Sequence, residues 1–362
     1  MKIFKIFGLR TSDSSNRLLF IRSFIVFILA GLGLVISQGT SMLFATSFND
    51  FIEQLLLFCT TSTVAMKIIV FYINQNSLTN VLLMLREIDG NLKTHQDFDM
   101  MDDVYKICSR ITIFYTCIYC ATISSIFCQL PFLAREELTW KSTSLLPYPF
   151  AKDPIVYYGV LISQALGNTI NCAISWAIDT YGLLLTLLLS KHFEVLGSHM
   201  ENLGSNSEQV RLIDCLKYYE QINEFAFRLK RHLSMILFIQ VGISAPVICI
   251  CTYQFAQAQQ LTNIQLLFLS GYTCGMLLQI FSPNFAGTLA METSALLPQS
   301  AFLSKWFEWS QSDKKAMSLF MLRTVRPFRL MAGIFFQLNL NTFIRIMKSA
   351  YSFFAVLQST QM

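Results

Sequence analysis

Long apolar runs, each about as long as a bilayer is thick, alternate with short charged segments along almost the whole chain. A helix needs about 20 mostly apolar residues to cross a hydrocarbon core of about 30 Å. Seven such runs stand out, at 18–38, 51–73, 111–134, 155–189, 234–256, 263–289 and 338–358. The segments between them are too short for a separate soluble domain. The pattern predicts an all-α, seven-transmembrane helical bundle forming one unit over 1–362. The first run follows Lys2, Lys5, Arg10 and Arg17, as in a signal peptide. Its length and the many runs after it predict a retained signal-anchor. No internal repeat or low-complexity segment interrupts the pattern.

Two runs depart from plain hydrophobicity. The fourth stays compatible with helix from Ile155 to about Leu203, past the width of a bilayer. At 1.5 Å per residue, Asp179 lies about 36 Å from Ile155 and reads as a polar residue on a cytoplasmic extension. Beyond it, Phe193, Leu196, Leu203, Leu212, Leu216, Tyr219, Ile222 and Phe225 are spaced as one apolar stripe. With 290–335, the segment 190–233 is expected to form a cytoplasmic helical anchor layer. The last run holds Arg345 and Lys348. A cation at the centre of a lipid-facing helix costs about 2.5–3.5 kcal/mol on the mildest scale. The final helix is therefore the candidate wall of a water-lined path.

Charge placement gives an orientation. Four Lys/Arg precede the first run, four follow the second, six follow the fourth and six follow the sixth, 20 in all. The alternate connections hold Arg135, Lys141 and Lys152 alone. The positive-inside rule places the N-terminus in the cytoplasm and, after seven spans, the C-terminus outside. G-protein-coupled receptors have the opposite topology, and their Asp-Arg-Tyr and Asn-Pro-x-x-Tyr motifs are missing.

Composition agrees with a membrane protein, at 54% apolar and 14% charged with 32 Phe, against about 25% charged in soluble domains. The net charge of +5 gathers near helix ends and implies topology, not nucleic-acid binding. The ten Cys fall mostly in apolar runs and read as small hydrophobes without a disulfide framework. His192 and His199, seven residues apart, read as solvated polar residues instead of a metal pair. No nucleotide, metalloprotease or nucleophile-elbow motif is present. Neither a catalytic site, a cofactor nor a metal is expected.

Aromatic, small and hydroxyl residues collect in the outer halves of several runs. Phe58, Thr61 and Ser62 lie in the second, Cys120, Ser124 and Phe127 in the third, Tyr158, Leu161 and Ile162 in the fourth, and Phe268 and Tyr272 in the sixth. An apolar pocket with a few hydroxyls suits a small hydrophobic ligand, and ordinary bundle packing uses the same residue types.

The last third of the chain carries a more specific pattern. It holds Phe285-Ala-Gly-Thr-Leu-Ala-Met-Glu-Thr-Ser-Ala-Leu-Leu297 followed by Trp306. Next come Arg323-Thr-Val-Arg-Pro327 and Ala332-Gly333, and finally Thr342-Phe343, Lys348 and Tyr351-Ser352. Together these resemble the insect odorant receptor family. The loop Leu146–Pro154 is similar to the family's Pro-rich outer loop but lacks its usual Trp. The resemblance implies an odorant-gated cation channel of four subunits in the plasma membrane of an olfactory sensory neuron dendrite. Most members are tuning subunits that assemble with a common co-receptor. This chain lacks the large insertion after span four that marks the co-receptor, which implies a tuning subunit. The family's constriction maps to Val356 and, one turn on, Thr360, where an apolar residue is usual, with Gln358 beside the ion path. A gustatory-type channel and a secondary transporter are the alternatives. Transporters commonly carry inverted repeats, and none is visible.

Overall fold

The computed structural model describes residues 32–43, 45, 48–92, 95–133, 154–203, 211–257 and 263–359. Among the described residues, nine α-helices follow one another: α1 (Gly33–Leu43), α2 (Phe48–Ile73), α3 (Gln75–Asp89), α4 (His95–Leu133), α5 (Pro154–Glu201), α6 (Leu212–Ala256), α7 (Asn263–Leu303), α8 (Gln311–Thr324) and α9 (Leu340–Ser359). Among the described residues, four helical stretches are long and apolar enough to cross a membrane: Phe51–Ile73, Ala165–Glu201, Leu212–Ala256 and Gln265–Leu303. Most of the first run and the whole 146–153 loop lie outside the described residues.

The helices outlast the apolar runs. α5 is one rod of 48 residues, about 72 Å at 1.5 Å per residue, and it packs chiefly on α7. α6 begins at Leu212 and runs unbroken into the fifth apolar run. The extensions form a second, charged layer at one end of the bundle. The stripe expected there is its core: Phe193, Leu196, Leu203, Tyr219, Ile222 and Phe225 are all buried in one cluster, with Leu212 and Leu216 against it. α3 belongs to the same layer through Leu78, Val81 and Ile88.

This layer corrects the reading of the two histidines. His192 and His199 are buried, because the face of α5 that carries them turns toward α6 and the start of α4. His192 Nδ1 lies 2.7 Å from the Tyr218 hydroxyl. His199 Nε2 lies 3.0 and 3.1 Å from the two carboxylate oxygens of Asp97. A solvated helix face would have left both rings in water.

α8 opens on Ser310, whose Oγ accepts from the Asp313 backbone N–H at 3.2 Å, an N-cap. Between α8 and α9 lies a short hairpin, β1 (Met331–Ala332) and β2 (Phe336–Gln337), paired antiparallel with Ala332 opposite Phe336. Its turn uses Gly333 at φ +61°, a region that favours glycine. The Gly333 N–H donates to the Ser234 carbonyl on α6 at 3.0 Å. α7 holds the other side: Ser294 Oγ accepts from Phe328 N–H at 2.9 Å and Thr288 Oγ1 from Leu340 N–H at 3.0 Å. A Cβ on Gly287 would stand 2.5 Å from the Leu338 carbonyl oxygen, so α7 meets the entry to α9 backbone to backbone.

Candidate functional site

α2, α4, α5, α6 and α7 line a cavity of about 120 Å³. The apolar wall includes Leu57, Val64, Ile118, Ile243, Phe268 and Met276. Thr60, Thr61 and Thr63 on α2 also line it; Thr60 and Thr63 donate to carbonyls one turn back, and Thr61 has both such a carbonyl and Gln38 Oε1 as acceptors. Such back-bonding leaves none of these three threonines as an orphan donor.

The cavity floor is charged. Lys67 on α2 is buried, and its Nζ lies 2.8 Å from Asp179 Oδ1 on α5. Gln279 on α7 closes the set. Its Nε2 donates toward Asp179 Oδ2 at 2.8 Å, Tyr119 Oη at 2.9 Å and Ser175 Oγ at 3.0 Å. Its Oε1 accepts from Gln240 Nε2 on α6 at 3.2 Å. One ion pair and two amides thus tie five helices together. Beneath them a void of about 20 Å³ reaches Leu330, at the foot of the hairpin. Placing Asp179 on a solvated extension is corrected by this network. The helix is long enough for that reading, but the facing cation on α2 draws the carboxylate inward.

Three of the residues singled out from the sequence line the cavity: Thr61, Phe268 and Tyr272. The last two lie side by side on α7 with their rings tilted, centroids 5.9 Å apart. Phe58 faces away from the cavity and lies over Gly39 of α1. Ser124 and Ile162 are exposed and do not line the cavity. The side chains of Phe127, Tyr158, Leu161 and Gln358, and all of Thr360, lie outside the described residues. Sequence reasoning missed Lys67, Asn168, Asn171, Ser175, Gln240, Ser244 and Gln279, which the cavity gathers. Each is a polar residue inside an apolar run, the same signal that marked Arg345 and Lys348.

α9 is two-faced. Thr342, Ile346 and Ala350 are buried, one turn apart, against α6 and α7. Asn341, Arg345, Lys348, Ser352 and Val356 lie on the opposite side, all exposed. Val356 is 60% exposed. A helix with one face bonded to its own subunit and a polar, cationic face left open is built for contact with water or other chains.

The elements define a multi-pass helical membrane protein: a bundle with a ligand-sized cavity and one helix presenting an exposed polar face. Comparison with known proteins narrows the class. The family model described as 7tm Odorant receptor matches residues 47–351, and the chain belongs to that family. Odorant receptor 23a of Drosophila melanogaster is 22% identical over 326 residues, spanning 86% of this chain and 83% of that protein. Odorant receptor 59a of the same fly is 22% identical over 344 residues, 88% and 85% of the two chains. The solved structure of the insect olfactory receptor OR5 from Machilis hrabei in complex with eugenol superposes with a TM-score of 0.86. Identity is 14%, with 99% of this chain and 97% of that one covered. The fold is that seven-transmembrane bundle.

Proposed function

We propose that this chain is a tuning subunit of an odorant-gated cation channel, which takes a small hydrophobic volatile into the cavity and opens a pore lined by α9. The cavity of about 120 Å³ among five helices, in a chain of the odorant receptor family, carries the reading. The ligand acts by binding the open arrangement more tightly than the closed one. The partner is the co-receptor, in a heterotetramer joined through the anchor layer of 190–233 and 290–335. The charge bias of the connecting segments supports a cytoplasmic N-terminus and an outer C-terminus. The site of action is the dendritic plasma membrane of an olfactory neuron. Val356, with Gln358 and Thr360 beyond it, forms the outer constriction, where a ring of valines gates by dewetting.

The test is current recording from cells expressing the chain with and without the co-receptor, across a panel of small volatiles. Odorant-evoked cation current that needs both chains is the expected result. Silence across the panel despite surface expression, or current evoked by soluble tastants without a co-receptor, overturns it.

A further inference from the structure

Among the described residues, Asn171 is a buried amide of the cavity wall with both of its polar atoms unanswered. It is 3% exposed, it lines the cavity, and neither Nδ2 nor Oδ1 has a partner within the protein. Asn168, Asn171, Ser175 and Asp179 succeed one another at three- and four-residue steps, which sets them on one face of α5. Lower on that face, Ser175 and Asp179 are taken by Gln279 and Lys67. Of the polar atoms the cavity wall leaves unanswered, Gln240 Oε1 offers an acceptor alone and Tyr272 Oη is a single hydroxyl, whereas Asn171 presents a donor and an acceptor side by side. A buried amide left unpaired is costly, so whatever fills the cavity must answer it.

That requirement selects a chemistry. Lys67 is already matched by Asp179, so a carboxylate or ammonium ligand would enter without a counter-ion and lose its hydration. A hydrocarbon leaves both amide atoms bare. A ketone or ester accepts from Nδ2 but gives nothing to Oδ1. A hydroxyl donates to Oδ1 and accepts from Nδ2, replacing a water with the same two bonds. Size narrows the choice further. A dry cavity of about 150 Å³ holds benzene, so about 120 Å³ suits a body of about six non-hydrogen atoms. Resting on the odorant-pocket reading above, we infer that the cavity selects a small neutral alcohol or phenol, its hydroxyl on Asn171 and its body against Val64, Ile118, Ile243 and Met276.

The probes are 1-pentanol, 2-pentanone, hexane and butanoate, matched in size. Each is titrated against the purified full-length receptor, following its thermal midpoint, and against cells co-expressing the co-receptor, following current. Wild type should respond to 1-pentanol at concentrations at least about tenfold below the other three. Asn171→Leu should weaken 1-pentanol about tenfold or more and leave hexane unchanged or improved. Asn171→Ser keeps a donor and an acceptor and should keep the order of probes. Should Asn171→Leu fail to fold, wild type and Asn171→Ser decide the matter. Equal responses to 1-pentanol and hexane in wild type, no response to 1-pentanol at all, or an equal loss for every probe in Asn171→Leu each overturn the inference. Stabilisation that follows Asn171 without any current would leave this site standing and sink the channel reading.

Discussion

The pairing of Lys67 with Asp179 shows how a single residue is held inside an apolar bundle. Lys67 is 1% exposed and Asp179 15%, so neither charge is screened by bulk water. Removing one partner of a buried pair costs about 3–5 kcal/mol, because the other is stranded. Lys67→Met leaves Asp179 with Gln279 at 2.8 Å and Ser175 at 3.3 Å, which puts the loss at the lower end, about 3 kcal/mol. The variant should reach the surface poorly and melt earlier in detergent, and Lys67→Met with Asp179→Leu should recover most of the deficit. Full stability of Lys67→Met alone would show that the pair does not hold the floor. Both charges were visible in the sequence as exceptions within apolar runs. Measured along α5 alone, Asp179 reads as solvated, and only the packing of α2 beside α5 brings a cation to it. Thr61, Phe268 and Tyr272 were legible by residue type because an aromatic and hydroxyl pocket uses few kinds of side chain. Asn171 and Gln240 were not, since type alone does not separate a buried amide from one facing lipid headgroups.

At the scale of elements, the glycines of the 285–333 stretch have a mechanical reason. Gly287 admits the Leu338 carbonyl and Gly333 turns the hairpin, so both fix where α9 starts. Gly287→Ala places a methyl 2.5 Å from a backbone oxygen. No side-chain rotation relieves that clash, and overpacking of this kind costs about 1–3 kcal/mol. The variant should lose most ligand-evoked current by displacing α9 from α7. Gly242→Ala on α6 is the control: nothing stands within 4 Å of the added Cβ, and alanine favours a helix by about 0.5–1 kcal/mol. It should express and respond at least as well as wild type. Matching behaviour of the two variants in surface expression and current would remove Gly287 as the hinge point. The long helices were legible because 20-residue apolar runs admit little else in a bilayer. The hairpin was not, as strands of two residues are too short to show a period. α3 was hidden in a charged connection because its apolar face is covered by α6, a contact between elements far apart in sequence.

At the scale of the whole molecule, the open face of α9 joins the last helix to the proposed channel. Arg345 and Lys348 are exposed on the same side as Ser352 and Val356. In the proposed orientation, with the C-terminus outside, the two cations would line an inner vestibule, two to three turns below Val356. A cation passing about 8 Å from a unit positive charge in water is opposed by about 0.5 kcal/mol, roughly a twofold drop in local occupancy. Neutralising both in Arg345→Gln with Lys348→Gln should raise single-channel conductance about twofold or more at low ionic strength. The gain should shrink as salt is raised, since the screening length falls from about 30 Å at 0.01 M to about 8 Å at 0.15 M. The half-maximal odorant concentration should stay unchanged, because the cavity lies among α2, α4, α5, α6 and α7 and not on α9. Conductance that ignores both the substitution and the salt would take these cations out of the ion path. A shift in odorant sensitivity with unaltered conductance would instead place them at a contact that α9 makes on opening.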